Sequence, residues 1–216
     1  MTRKTLTSLT LRRTSMAAAL LAALIGSGCA PLVVGGAMMS GAMVATDRRT
    51  SGTQLEDEGI EYKINARLKE NLGTLAHINV NSYNRTVLLT GEVANETDRA
   101  TAERLASQTD TVQRVLNELA VGPASALSGR SSDLLVASKM KASLVDAQDL
   151  ISNAFYVVVE RGNVYIMGRV TEREAARAVG IAQGIKGVQK VVRAFDIITE
   201  EELARVTPKP ATKPAP

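Results

Sequence analysis

Tryptophan is absent from this 216-residue chain, cysteine and histidine occur once each, and phenylalanine twice. A single cysteine, Cys29, allows no disulfide within the chain, so an exported form must rely on its apolar core. A single histidine, His77, leaves no His/Cys spacing of the kind that holds a metal, and no metal or cofactor is expected. His77 falls at the start of a strand, where a solvated or locally bonded ring is expected rather than a catalytic base. Glu172 and Glu174 mimic a carboxylate pair, but they open a helix, where acids serve the dipole and the cap. Gly180, Gly184 and Gly187 fall at a helix end rather than after a strand, so they read as a helix stop and not a phosphate loop. No enzyme is expected; a hydrolase would need a cleft that brings His77 to an acid and a nucleophile.

An excess of charge of one sign is also missing. The whole chain carries +4 at pH 7, but Arg3, Lys4, Arg12 and Arg13 sit in a leader without acids. Past residue 28, the remaining 22 bases face 22 acids. The electrostatic footprint of nucleic-acid binding is therefore absent.

What is present begins with that leader. Basic residues precede an apolar run at residues 16–25, and Gly26, Ser27 and Gly28 lead into Cys29. This is the pattern of a secretory signal peptide. Its end looks like a bacterial lipobox, with Gly26 where Leu is most usual. Such a box implies cleavage before Cys29 and acylation (palmitate among the chains) of its sulfur. Residues 30–46 are apolar and rich in Gly, Ala and Met, but fall short of the ~20 apolar residues that span a bilayer. They read as a flexible tether at the membrane surface.

The remainder contains an internal repeat. Lys63, Ile64 and Leu68 recur as Lys139, Met140 and Leu144. VLLTGEV at residues 87–93 recurs as VYIMGRV at 164–170, and VQRV at 112–115 as VQKV at 188–191. Each copy reads as helix, strand, strand, helix, strand. Ile60, Ile64 and Leu68, and in the second copy Val136, Met140 and Leu144, share one helix face. Residues 78–83 and 155–159 form first strands. Second strands end near Gly91 and Gly168, matched glycines that a bulge or close backbone approach explains. Residues 112–121 and 188–198 form third strands. Thr171 and Glu174 make a capping box for the second helix of copy two. This order gives an α+β fold, each copy a small mixed three-stranded sheet with two helices on one face. The expected boundaries are a signal peptide at 1–28, lipidated cysteine and tether at 29–53, and a first domain at 54–122. A linker at 123–130, a second domain at 131–199, and a short helix with a Lys/Pro tail at 200–216 complete the chain.

A lipobox followed by two αββαβ units resembles the dual BON-domain lipoproteins of Gram-negative outer membranes. Ala45, Thr46, Asp47 and Arg48, then Ser51 to Gln54, resemble the family's segment before its first domain. MGRVTEREA at 167–175 resembles its second-domain glycine motif. The resemblance implies two tandem BON domains on a lipid-anchored, periplasm-facing outer-membrane protein that supports envelope integrity. Ala30 after Cys29 agrees with outer-membrane sorting. The resemblance also implies binding of anionic phospholipid, of the phosphatidylglycerol type, through the first helix of the second domain.

The two copies differ in the way that role needs. Residues 54–121 hold 11 acids and 7 bases, whereas residues 131–198 hold 7 acids and 9 bases. Glu58, Gly59, Glu61 and Lys69 become Leu134, Leu135, Ala137 and Val145. Leu134, Ser138, Lys141 and Val145 form a second stripe on that helix, with Leu135 near Lys139. Apolar residues flanked by lysines suit a surface that dips into headgroups. Leu135 stands where the family can carry an aromatic, and Leu lacks the interfacial preference of Trp or Tyr. Two other placements remain: packing of the stripe against copy one, and a protein adaptor role toward an envelope assembly or cell-wall remodelling partner. Burial of Leu134, Leu135 and Val145 between the domains would favour the adaptor.

Overall fold

A computed structural model describes residues 47–73 and 76–206. These residues fall in one compact unit that begins at Thr46. The leader, Cys29, the tether through residue 46, and the tail from residue 207 lie outside the described residues.

The first repeat opens with α1 (Ser51–Leu72), which buries Ile60, Ile64 and Leu68. A hairpin follows, β1 (His77–Tyr83) and β2 (Thr86–Val93), paired antiparallel. Helix α2 (Glu96–Ser107) crosses back to β3 (Arg114–Asn117) and β4 (Ala120–Val121), both parallel to β2. The second repeat follows the same course: α3 (Leu127–Asp146), β5 (Phe155–Glu160), β6 (Asn163–Val170), α4 (Glu172–Gln183) and β7 (Lys190–Ile197). Its sheet order is β5-β6-β7, antiparallel then parallel. A short α5 (Glu200–Val206) closes the described chain.

One buried carboxylate sets each hairpin turn. Asp57 on α1 accepts hydrogen bonds from the N–H groups of Asn84 and Arg85, both at 2.8 Å, and from the Ser82 hydroxyl at 2.7 Å. Asp133 on α3 accepts from the N–H groups of Arg161 and Gly162, both at 2.8 Å. Asn84, Arg85, Arg161 and Gly162 all take positive φ, the backbone of a tight hairpin turn. The aspartate meets donors that the turn leaves pointing inward, so helix and hairpin are locked in register.

The strands β2 and β6 are buried on both faces. Val87, Leu89 and Val93 pack with α1 and α2 residues in one core; Val164, Ile166 and Val170 do so in the other. The alternating residues face the opposite way. Tyr83 and Leu88 of the first repeat meet Tyr165, Met167 and Ala194 of the second in a third cluster. The repeats thus pack sheet to sheet, with their helices outward.

Four boundaries differ from the sequence reading. Helix α1 starts at Ser51, because Thr50 accepts the Thr53 N–H and caps it, so the tether cannot extend to residue 53. Helix α3 starts at Leu127, within the expected linker, with the Ser131 and Ser132 hydroxyls folded back onto the carbonyls of Leu127 and Ser128. The third strand of the first repeat is interrupted after Asn117, whose side chain bonds the Leu119 N–H and the Arg99 carbonyl while Leu119 turns into the core. The second strands also run on through their glycines to Val93 and Val170. A Cβ on Gly91 would lie 2.0 Å from the His77 carbonyl oxygen, and one on Gly168 2.4 Å from that of Ala154. Close backbone approach therefore demands both glycines.

Candidate functional site

Helix α3 has two faces of different chemistry. Val136, Met140 and Leu144 enter the core of the second repeat. The opposite face is open: Leu134 is 69 % exposed, Leu135 62 % and Val145 67 %, and Ser138, Lys139 and Lys141 are exposed with them. The stripe is not buried between the repeats, whose sheets meet in the third cluster, although Leu134 borders a cleft shared with His77 of the first. The Ser138 hydroxyl donates to the Leu134 carbonyl at 2.8 Å, which hides its polarity within the helix. Leu127, two helical turns before Leu134, extends the apolar stripe. Sequence reasoning missed Leu127 by placing it in the linker, although its seven-residue spacing to Leu134 was a usable signal.

Helix α1 carries a smaller counterpart. Leu55 and Tyr62, again seven residues apart, are exposed. They lie beside Glu56, Glu58 and Glu61, with Lys63 and Lys69 also exposed on this helix.

At the seam between the repeats, His77 Nδ1 lies 3.0 Å from Glu92 Oε2. Glu92 is buried, and its other oxygen accepts from the Ser125 hydroxyl and faces Arg161 Nη1 at 3.5 Å. Glu160, from the end of β5, is also buried and accepts from Asn79 Nδ2 at 2.9 Å. Burial, then the charge of Glu92, pushes the Glu160 carboxyl above the usual carboxylate range. Burial also pushes Glu92 up, but the hydrogen bonds from Ser125 and His77 outweigh it and hold that carboxyl below the usual range. His77 is thus locally bonded to an acid, with a serine close by. The order is wrong for nucleophilic catalysis. Ser125 bonds to the carboxylate rather than to the imidazole, so His77 has no path to its proton.

Toward the N-terminus, Arg48 reaches into the second repeat. Its guanidinium spans the Glu174 carboxylate and donates to the Arg169 carbonyl at 3.0 Å. Glu174 also completes the capping box with Thr171. Arg49 bonds Asp47 and Asp57 at 2.8 Å each and lies 4.1 Å over the Tyr83 ring. The segment just ahead of α1 is thus part of the folded body.

Two outward helix faces, a sheet-to-sheet seam and a docked entry segment describe a tandem α+β module. The BON domain model matches residues 56–123 and 132–199, and the chain belongs to the BON-domain family. It is 36 % identical over 170 residues to the outer membrane lipoprotein DolP of Haemophilus influenzae, covering 78 % of this chain and 88 % of that one. It is 28 % identical over 158 residues to a 21 kDa hemolysin of Actinobacillus pleuropneumoniae, covering 70 % and 79 %. Among solved structures, CdsD, a structural protein of the type III secretion system of Chlamydia trachomatis, aligns over 71 % of this chain and 98 % of its own. Its TM-score is 0.29 at 12 % identity, too slight to bear on function.

Proposed function

We propose that this chain is an outer-membrane lipoprotein, anchored through acylated Cys29 and facing the periplasm. Its second BON domain rests on anionic phospholipid and helps maintain the envelope. The observation that carries this reading is the exposed stripe of Leu134, Leu135 and Val145, flanked by Lys139 and Lys141, on the face of α3 turned away from its core. The lipobox sequence at Cys29 and the likeness to an outer membrane lipoprotein support the anchor and its location.

Magnitudes separate anchoring from recognition. Acyl chains contribute ~0.8 kcal/mol per buried CH₂, so acylation at Cys29 keeps the chain on the membrane. Each lysine near an anionic surface adds only ~1 kcal/mol. The α3 face therefore selects where on the membrane the protein dwells.

A second reading is favoured by the exposed Leu55 and Tyr62 on the acidic α1. In it, the first repeat is an adaptor that docks an envelope assembly or cell-wall remodelling partner.

Co-sedimentation with liposomes tests the first reading. The soluble chain must begin at residue 46, since starting at Thr50 would delete the buried Arg48. Binding that needs phosphatidylglycerol, falls with salt, and is lost in Leu135→Glu and in Lys139→Glu/Lys141→Glu supports the lipid role. Equal recovery with and without phosphatidylglycerol, or no loss in the variants, would leave only the acyl anchor and turn the search to protein partners.

A further inference from the structure

We propose that His77, Glu92 and Glu160 form a binding site for a divalent transition-metal ion of the zinc type, bridging the two repeats. His77 sits on β1 and Glu92 on β2 of the first repeat; Glu160 ends β5 of the second. One ligand atom from each lies within 4.8 Å of the other two. Around a tetrahedral zinc, with bonds of 2.0–2.2 Å, ligand atoms stand about 3.3 Å apart. Small rotations of two carboxylate side chains cover the difference.

The surroundings resemble an outer shell. The Ser125 hydroxyl and Arg161 hold one oxygen of Glu92, so that the other points at His77. Asn79 holds Oε2 of Glu160. Such partners fix the orientation of metal ligands. Glu92 is offset by Arg161 and His77, whereas Glu160 faces it from the other repeat with the neutral Asn79 as its donor, and a dication shared by the two would relieve that repulsion. In the absence of metal, Nδ1 of His77 donates to Glu92 Oε2. A metal takes the place of that proton, which moves to Nε2 of the neutral ring.

One imidazole nitrogen and two carboxylates favour zinc-type ions over calcium or magnesium, which demand more oxygen ligands. Access comes through a cleft of about 260 Å³ lined by His77, Glu160, Arg130, Asp133 and Leu134.

The untagged full-length chain in detergent micelles provides the test. Zn²⁺ and Mg²⁺ are titrated separately, with the melting temperature and the ring-nitrogen NMR signals of the single histidine as readouts. The expected result is a single saturable Zn²⁺ site that raises the melting temperature, shifts the His77 Nδ1 signal, and is not reproduced by Mg²⁺. The Zn²⁺-dependent increment should vanish in His77→Ala and in Glu160→Gln, whatever their baseline stability. The NMR readout needs no variant, so misfolding of either leaves the test intact. No Zn²⁺ effect up to roughly 100 µM, or a stabilisation that leaves the His77 signals unmoved, would overturn the proposal. Stabilisation that persists in Glu160→Gln would reduce it to a contact within the first repeat and overturn the bridge.

Discussion

Arg48 and Glu174 meet in a fork-to-fork ion pair, Nη1 to Oε2 at 2.7 Å and Nη2 to Oε1 at 2.8 Å, with side chains only 3 % and 4 % exposed. The pair joins the segment just after the tether to the helix cap of the second repeat. Removing Arg48 leaves a buried carboxylate with the Thr171 N–H and hydroxyl as its remaining partners. Arg48→Ala should therefore lower the unfolding free energy by about 3 kcal/mol, read as an earlier urea midpoint. A chain starting at Thr50 should lose more, because it also removes Arg49 from Asp57 and from the Tyr83 ring.

The same pair predicts a pH dependence. Burial pushes the Glu174 carboxyl up, but the hydrogen bonds from Arg48 and Thr171 outweigh it and leave the folded pKa below its ordinary 4.5. A carboxyl depressed on folding contributes stability that is fully present above its unfolded pKa and is lost as pH falls through the folded one. The stability gap between the native chain and Arg48→Ala should be full near neutrality and narrow once the pH drops below about 4.5. Urea unfolding at a series of pH values checks this. A gap that widens on acidification would contradict it.

Asp57 and Asp133 tie each first helix to its hairpin turn. Asp133→Ala removes a charged acceptor from two turn N–H groups. At ~1.5–3 kcal/mol for a hydrogen bond to a charged group, a loss of at least about 2 kcal/mol is expected. Asp57→Ala should cost more, because it also strands the Ser82 hydroxyl and removes one of the two carboxylates that hold Arg49. Calorimetric melting of both variants measures the order.

Gly168→Ala places a Cβ 2.4 Å from a backbone oxygen that cannot swing away. It should destabilise by about 2 kcal/mol. Gly91→Ala should be worse, since its contact is closer and its φ of 110° strains any side chain. Denaturant midpoints of the paired variants provide the comparison.

Much of this architecture was legible in the chain. The recurrence of VLLTGEV as VYIMGRV identified the duplicated unit, and the four-residue spacing of Ile60, Ile64 and Leu68 marked the helix face that enters the core. Thr171 and Glu174 announced the capping box that the structure contains. The seam was not legible. Continuous apolar runs at β2 and β6 say that both strand faces are buried, but not what covers the second face, since that depends on the partner sheet. The cluster of His77, Glu92 and Glu160 was invisible for a related reason: its members lie far apart in sequence and meet only when the sheets pack. Asp57 and Asp133 carried a signal in their 76-residue offset, overlooked because acids on a helix read as solvated.

Entry of the outer face of α3 into an anionic membrane surface is the proposal on which the lipid role rests. The chain has no tryptophan, so a single Leu135→Trp substitution gives an unambiguous reporter, with Leu55→Trp on α1 as the comparison. Emission from position 135 should shift to the blue with vesicles containing phosphatidylglycerol, be quenched by brominated acyl chains, and revert at high salt, while position 55 stays unchanged. An unshifted spectrum at position 135, or an equal shift at position 55 or with vesicles lacking phosphatidylglycerol, would contradict it.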